Sequence, residues 1–154
     1  MELASLTQEN LGKSVSITLR PEQEAFVAPV MQSIAEAYVN PTAWPRLVVD
    51  GDDVLAFIMG NFDPDHEIEA FRAGIWRLNV AASAQGRGVG RFAVGGLEEE
   101  ARDRGVKRIS VLWERGEHSP EGFYLKLGFV PTGKELFGET VAFKDLGPRG
   151  KMAP

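Results

Sequence analysis

The hydrophobic pattern of the chain changes period several times, and each change marks an element. Gly74-Ile75-Trp76-Arg77-Leu78-Asn79-Val80-Ala81 is apolar and partly alternating, which predicts a strand, whereas Arg91 to Arg104 repeats apolar residues at helical spacing. That helix puts Val89, Phe92, Ala93, Gly96, Leu97 and Ala101 on one side and turns Glu98, Glu99, Arg102 and Asp103 to water. Gly95 and Gly96 each cost about 1 kcal/mol relative to alanine, so close packing against a strand is the expected reason for them. Arg102 and Arg104 suit the negative end of the helix, and Gly105 caps it.

Upstream, residues 1–13 carry no pattern and read as a lead-in. Val15-Ser16-Ile17-Thr18-Leu19 alternates as a half-buried strand stopped by Arg20-Pro21. Phe26, Val30, Ile34 and Tyr38 form a helical stripe that ends at Asn40-Pro41, with Pro29 either kinking one helix or starting a second. Leu47 to Asp50 and Val54 to Met59 flank Gly51-Asp52-Asp53 and predict an antiparallel hairpin, followed by a polar loop from Asn61 to Ala73. Downstream, Ile109 to Trp113 is a strand joined to the one before the glycines through the helix, which predicts a parallel pair with a right-handed crossover. Ser119-Pro120-Glu121 opens a short helix through Phe123, Tyr124 and Leu127 to Gly128; Phe129 re-enters the sheet. Glu135 to Phe143 predicts a last hairpin, and Pro148 to Pro154 a flexible tail. With 154 residues and no repeat, one domain over 1–154 is expected.

Composition narrows the chemistry. The chain is 44% hydrophobic and 25% charged, which excludes the disordered and fibrous classes. The absence of cysteine removes disulfides, thiolate metal sites and cysteine nucleophiles, in keeping with a cytoplasmic protein. His66 and His118 fall short of a metal ligand set, so no metal is expected. A net charge of −5 disfavours a general nucleic-acid partner, and neither a membrane-length apolar run nor a basic leader is present.

The junction between strand and helix, Gln85-Gly86-Arg87-Gly88-Val89-Gly90, has the makings of an anion cradle. Its glycines allow close backbone approach, the helix behind it presents free N–H groups and a positive dipole end, and Arg87 and Arg91 add charge. A dinucleotide site would need an acid at the end of a following strand, but Asp103 lies within the same helix and no second half follows. No Gly-Lys-Ser/Thr follows the loop, against a nucleotide hydrolase, and His118-Ser119, adjacent at a cap, do not make a hydrolase triad.

Two motifs together, Gln85-x-x-Gly88-x-Gly90 and Phe123-Tyr124-x-x-Leu127-Gly128-Phe129, in this order of elements over residues 14–146, resemble the GNAT acetyltransferase superfamily. Ala43-Trp44-Pro45-Arg46, Trp76-Arg77-Leu78, Thr132-Gly133 and Gly138-Glu139 look most like its diamine and polyamine (spermine/spermidine) N-acetyltransferase branch. The resemblance implies an α/β (α+β) fold. It would have a central mixed, largely antiparallel sheet of six or seven strands, helices on both faces and a splayed parallel pair in the middle. The implied activity is transfer of acetyl from acetyl-CoA to a primary amine of a small molecule, a polyamine being one candidate, by direct attack in a ternary complex. A non-catalytic acyl-CoA sensor is the alternative, and a homodimer is consistent with the resemblance.

By the same resemblance, Gln85, Gly86, Arg87, Gly88, Val89, Gly90 and Arg91 hold the pyrophosphate of acetyl-CoA. Leu78, Asn79 and Val80 run beside its pantetheine arm, with the Val80 amide polarising the thioester carbonyl, and Ser119, Tyr124 and Lys126 complete the cofactor set. Tyr124 is the implied general acid for the departing thiolate. The glutamate that some members carry near the start of the strand before the glycines is absent, since Ile75 and Trp76 stand there. Glu114 and Glu36 are the candidate bases, with solvent as a third route. Trp44, Trp76 and Tyr38 either line an acceptor pocket or belong to the core. Asp52, Asp53, Asp63, Asp65, Glu67 and Glu69 either border its mouth or are merely solvated.

Overall fold

The computed structural model describes residues 1–148, so the expected tail beyond Pro148 lies outside the described residues. Seven strands, β1 (Glu2–Ala4), β2 (Ala43–Asp50), β3 (Asp53–Phe62), β4 (Ala73–Val80), β5 (Arg108–Trp113), β6 (Val130–Leu136) and β7 (Glu139–Asp145), form one sheet in the order β1-β2-β3-β4-β5-β7-β6. Four α-helices accompany them: α1 (Leu11–Val15), α2 (Val30–Val39), α3 (Val89–Asp103) and α4 (Glu121–Lys126). Every ladder is antiparallel except β4–β5, as expected for a mixed sheet with one parallel pair at its centre. Among the described residues no helix is long and apolar enough to cross a membrane.

Strand alternation sorts the core into two layers. Val48, Ile58, Ile75 and Val111 pack with Val89, Ala93, Val94 and Leu97 of α3, while Leu47, Phe57 and Met59 meet Val30 of α2 on the opposite face. Val94 extends the α3 stripe read from the sequence, and Glu98 is more enclosed than expected because Lys144 Nζ donates to its carboxylate at 2.8 Å.

Two regions depart from the sequence reading. The lead-in is structured: β1 pairs with β2, and Leu3 fills the space where a side chain on Gly96 would stand. A three-residue strand held by backbone bonds has too few positions to show a period. The strand expected at Val15–Leu19 is instead the end of α1 followed by irregular chain. Reciprocal bonds between Thr7 and Asn10 (Thr7 N to Asn10 Oδ1 2.8 Å, Asn10 N to Thr7 Oγ1 3.2 Å) start that helix, and such local side-chain bonds outweigh a short alternation. Further on, Pro29 starts α2 after a 3-10 turn at Pro21–Phe26, which decides between the two readings of that proline. The stripe expected there breaks at its end, where Tyr38 is 91% exposed.

Close packing accounts for Gly96 but not for Gly95, where a Cβ would meet nothing within 4 Å. Gly95→Ala is therefore expected to stabilise the protein by about 0.5–1 kcal/mol by removing backbone freedom from the unfolded chain. Chemical denaturation checks this, and an unchanged or lower midpoint would count against it.

Candidate active site

The parallel pair at the sheet centre is short. β4 and β5 meet only at Gly74–Ser110 and Ile75–Val111, then diverge. At the first of these contacts, a side chain on Gly74 would run into the Ser110 backbone, so the two strands start in close contact before they part. A bulge contributes to the divergence: Met59 faces Arg77 and Gly60 faces Ile75, which leaves Trp76 as an extra residue in β4. Beyond it, the Ala81 amide donates to Leu55 O at 2.9 Å. In an antiparallel ladder alternate residues turn their polar groups in opposite directions, so Leu78 and Val80 turn theirs away from β3, toward a β5 that no longer pairs with them. The result is an exposed strand edge inside a cleft of about 1580 Å³.

The glycine loop closes one end of that cleft. Gly86 and Gly88 have φ of 80° and 79°, and nothing lies within 4 Å of where their side chains would be. Gly88 is the N-cap of α3 without a side-chain cap bond, so the first amides of the helix face open space. The third glycine carries a packing constraint as well: a Cβ on Gly90 would stand 3.0 Å from the Phe123 ring, so its bareness lets α4 dock against α3. Gln85 lines the cleft, but its amide is used internally. Its Nε2 donates to Val80 O at 3.0 Å and to Gln23 Oε1 at 2.6 Å, tying the loop to β4 and to the 3-10 turn. Val89 is buried and anchors the loop; Arg91 lines the cleft, and Arg87 is exposed outside its wall.

Tyr124 comes from α4 into the same cleft. Its ring stacks on Trp113 (5.7 Å between centroids, 10° between planes) and meets Phe123 and Phe129 edge-on. Trp113 is held in turn by Glu121, whose Oε2 accepts from the indole Nε1 at 2.8 Å. No described residue hydrogen-bonds the Tyr124 hydroxyl, and burial pushes its ionisation well above the ordinary phenol range, so it stays protonated. Ser119 works as a turn brace, donating to Glu114 O at 2.6 Å and accepting from Glu121 N at 3.3 Å, while exposed Lys126 lies on the rim.

Other sequence candidates are dispersed. Asn79 turns out of the cleft and donates from Nδ2 to Ala28 O at 3.0 Å, so only its backbone runs along β4 beside the opening. Glu36 is paired with Arg77 (3.0 Å) and lies outside the cleft wall, and exposed Glu114 is also outside it. Of the three aromatic candidates, Trp44 is core and Tyr38 projects to solvent; Trp76 alone reaches the cleft. Asp63 is the one member of the acidic loop set in the cleft wall.

One residue escaped the sequence reading. Glu139, at the start of β7, is half-buried in the cleft wall. Among the described residues its carboxylate has no hydrogen-bond or ion-pair partner. Burial first and the Glu114 charge second raise its pKa, against a smaller opposite pull from Arg77. Only the β5–β7 register brings Glu139 beside Glu114, and one sequence carries no trace of that register.

Known structures share this architecture. An aminoglycoside 6'-N-acetyltransferase complexed with coenzyme A superimposes with a TM-score of 0.72 at 19% identity, covering 97% of this chain and 99% of that one. A PaiA N-acetyltransferase from Thermoplasma acidophilum, also with coenzyme A, gives 0.66 at 15% identity over 94% and 98%. The Escherichia coli ribosomal-protein-S18-alanine N-acetyltransferase gives 0.67 at 16% over 97% and 96%. No curated protein sequence matches the chain. The pattern described as the Acetyltransferase (GNAT) family matches residues 13–129, and with the splayed sheet and glycine loop above, the chain belongs to the GNAT acetyltransferase family.

Proposed function

We propose that the protein transfers an acetyl group from acetyl-CoA to a primary amine of a small molecule, with both substrates bound together. The observation that carries this reading is the juxtaposition, in one cleft, of a β4 edge that no strand pairs beyond Ile75, an open helix N-terminus and Tyr124. The edge at Leu78 and Val80 suits the amides of a pantetheine arm, which would bind as a surrogate strand. The amides at the start of α3, with Arg91 and Arg87, suit a pyrophosphate. A Val80 N–H aimed at the thioester oxygen would stabilise charge that develops there during attack. Tyr124 would supply a proton to the sulfur as the carbon–sulfur bond breaks.

The acceptor is read more coarsely. The acidic cleft residues Asp63 and Glu139 and the half-exposed Trp76 favour a cationic amine, and a polyamine fits that description. Solved structures of the same fold include aminoglycoside and ribosomal-protein acetyltransferases, so those acceptors belong in the same assay. Thiol release from acetyl-CoA is to be measured with spermidine, kanamycin, free alanine and an alanine-initiated peptide. Release matched by acetylated amine is expected with at least one of them. Tight CoA binding with release from none would point to an acyl-CoA sensor.

A further inference from the structure

An amine in water at neutral pH is mostly protonated, so the acceptor must lose a proton before it can attack. The β6–β7 hairpin brings together what that step needs. In the β5–β7 ladder Thr140 faces Trp113, so Glu139 lies one step beyond the last bridged pair, next to Glu114. Facing residues share a side of the sheet and successive residues alternate. With Trp113 turned toward Tyr124, Glu139 is turned to the opposite side, where Leu112 and Arg77 line the same cleft. A thioester between the splayed strands would thus have the phenol on one side and the Glu139 carboxylate on the other.

The turn before Glu139 is unusual. Phe137 is in the left-handed region (φ 53°) next to Gly138 (φ 79°), a pair of positions that favours Asn-Gly. Its side chain is 84% exposed, yet stacks on Phe71 (6.1 Å between centroids), which meets His66 edge-on at 5.3 Å; all three rings line the cleft. A bulky residue in this conformation has a local cost that folding alone would not select. Aromatic faces beside an unpartnered carboxylate suit an alkylammonium group.

We propose that Glu139 takes the proton from the acceptor's ammonium, and that Phe137 and Phe71 form the wall that holds the acceptor's carbon chain beside it. This assignment rests on the transferase reading above. The ammonium gives one proton to the Glu139 carboxylate, which later releases it to solvent. The free amine forms the nitrogen–carbon bond to the acetyl carbonyl, and the carbon–sulfur bond breaks with its electron pair on sulfur. Tyr124 gives its proton to that sulfur, and the second proton lost from nitrogen passes through solvent to restore the Tyr124 phenol.

Burial, Glu114 after β5 and Arg77 on β4 set the proton affinity of Glu139. The other charged or titratable groups on the elements around it are Glu36 of α2 bonded to Arg77, Arg115 bonded to Thr140 Oγ1, Glu135 on β6 opposite Thr140, and His66 against Phe71. The carboxylate must be ionised to act, so activity rises with pH through its pKa. The test is the pH dependence of kcat/KM for each amine of the panel at saturating acetyl-CoA. Glu139→Gln is expected to lower it about 10²-fold at neutral pH and to erase the acidic limb, with the KM for acetyl-CoA kept. Glu139→Asp should restore part of that limb. Glu114→Gln, by removing a negative neighbour, should move the wild-type limb to lower pH. Phe137→Asn should fold as well as wild type and raise acceptor KM about tenfold, with kcat little changed. A Glu139→Gln enzyme that keeps the wild-type limb and rate overturns the proton assignment while acetyl transfer stands. An unchanged acceptor KM in Phe137→Asn overturns the wall. Absence of thiol release from the wild type with every amine overturns both this assignment and the transferase reading.

Discussion

Replacing Tyr124 by phenylalanine is expected to cut kcat about 10–10²-fold and to leave the affinity for acetyl-CoA within about twofold, because the loss falls on proton delivery and not on binding. The ring itself is what the fold uses. It stacks on Trp113 at 5.7 Å and packs against Phe123 and Phe129, and phenylalanine keeps all of those contacts. The hydroxyl makes no hydrogen bond within the described protein, so its removal leaves no buried partner unsatisfied. The expected loss is at the low end of general-acid effects because a thiolate, with a reference thiol pKa of about 8.5, is a fair leaving group even without a proton. Burial raises the phenol's pKa, so the hydroxyl should remain protonated throughout the working range, and no alkaline fall in wild-type kcat should trace to it. Steady-state kinetics with a fixed amine and varied acetyl-CoA separates the terms. Unchanged kcat removes the general-acid role, whereas a loss confined to the KM for acetyl-CoA makes Tyr124 a binding residue.

Parts of this site were legible in the sequence because they depend on short-range pattern. The hairpin around Gly51-Asp52-Asp53, the helix after the glycines and the Phe123-Tyr124 helix each carry their own period and turn residues, and each formed where expected. The parallel pair followed from a strand, helix, strand order. What escaped depends on contacts between distant segments. Gly90, read as part of the phosphate loop, also makes room for Phe123, and Gly96 makes room for Leu3 from a strand with no readable period. Gln85 is spent on Gln23, far from it in the chain. Glu36 and Glu114 were sensible by position along their elements, yet the first is taken by Arg77 and the second stays outside the cleft. Glu139 enters the cleft only through a ladder register and the turn at Phe137, neither of which one sequence encodes visibly. Residues placed by local pattern were thus easier to locate than side chains brought together by contacts between distant segments.

Gly88→Asp is expected to weaken CoA binding by about 10²-fold or more, equivalent to roughly 3 kcal/mol, without unfolding the protein. Gly88 has φ of 79°, a conformation that asparagine and aspartate tolerate better than other side chains, and nothing stands within 4 Å of the new Cβ. The fold therefore has room for the substitution. A carboxylate at the start of α3 also interacts favourably with the helix dipole, by about 0.3–1 kcal/mol, which offsets much of the backbone cost. For the ligand the same features work in reverse: the side chain fills the space above the first helical amides and puts negative charge where a pyrophosphate would sit. Gly88→Asn separates the two effects, since it has nearly the same shape and no charge, and it should lose less affinity than the aspartate. A pyrophosphate held beside Arg91 would also make wild-type affinity fall with ionic strength, since salt screens that charge. Calorimetric titration with CoA, beside a thermal melt of each variant, gives the answer. A Gly88→Asp protein that melts normally and binds CoA as tightly as wild type would remove the pyrophosphate from this loop, and with it the orientation of acetyl-CoA on which the roles of Val80 and Tyr124 depend.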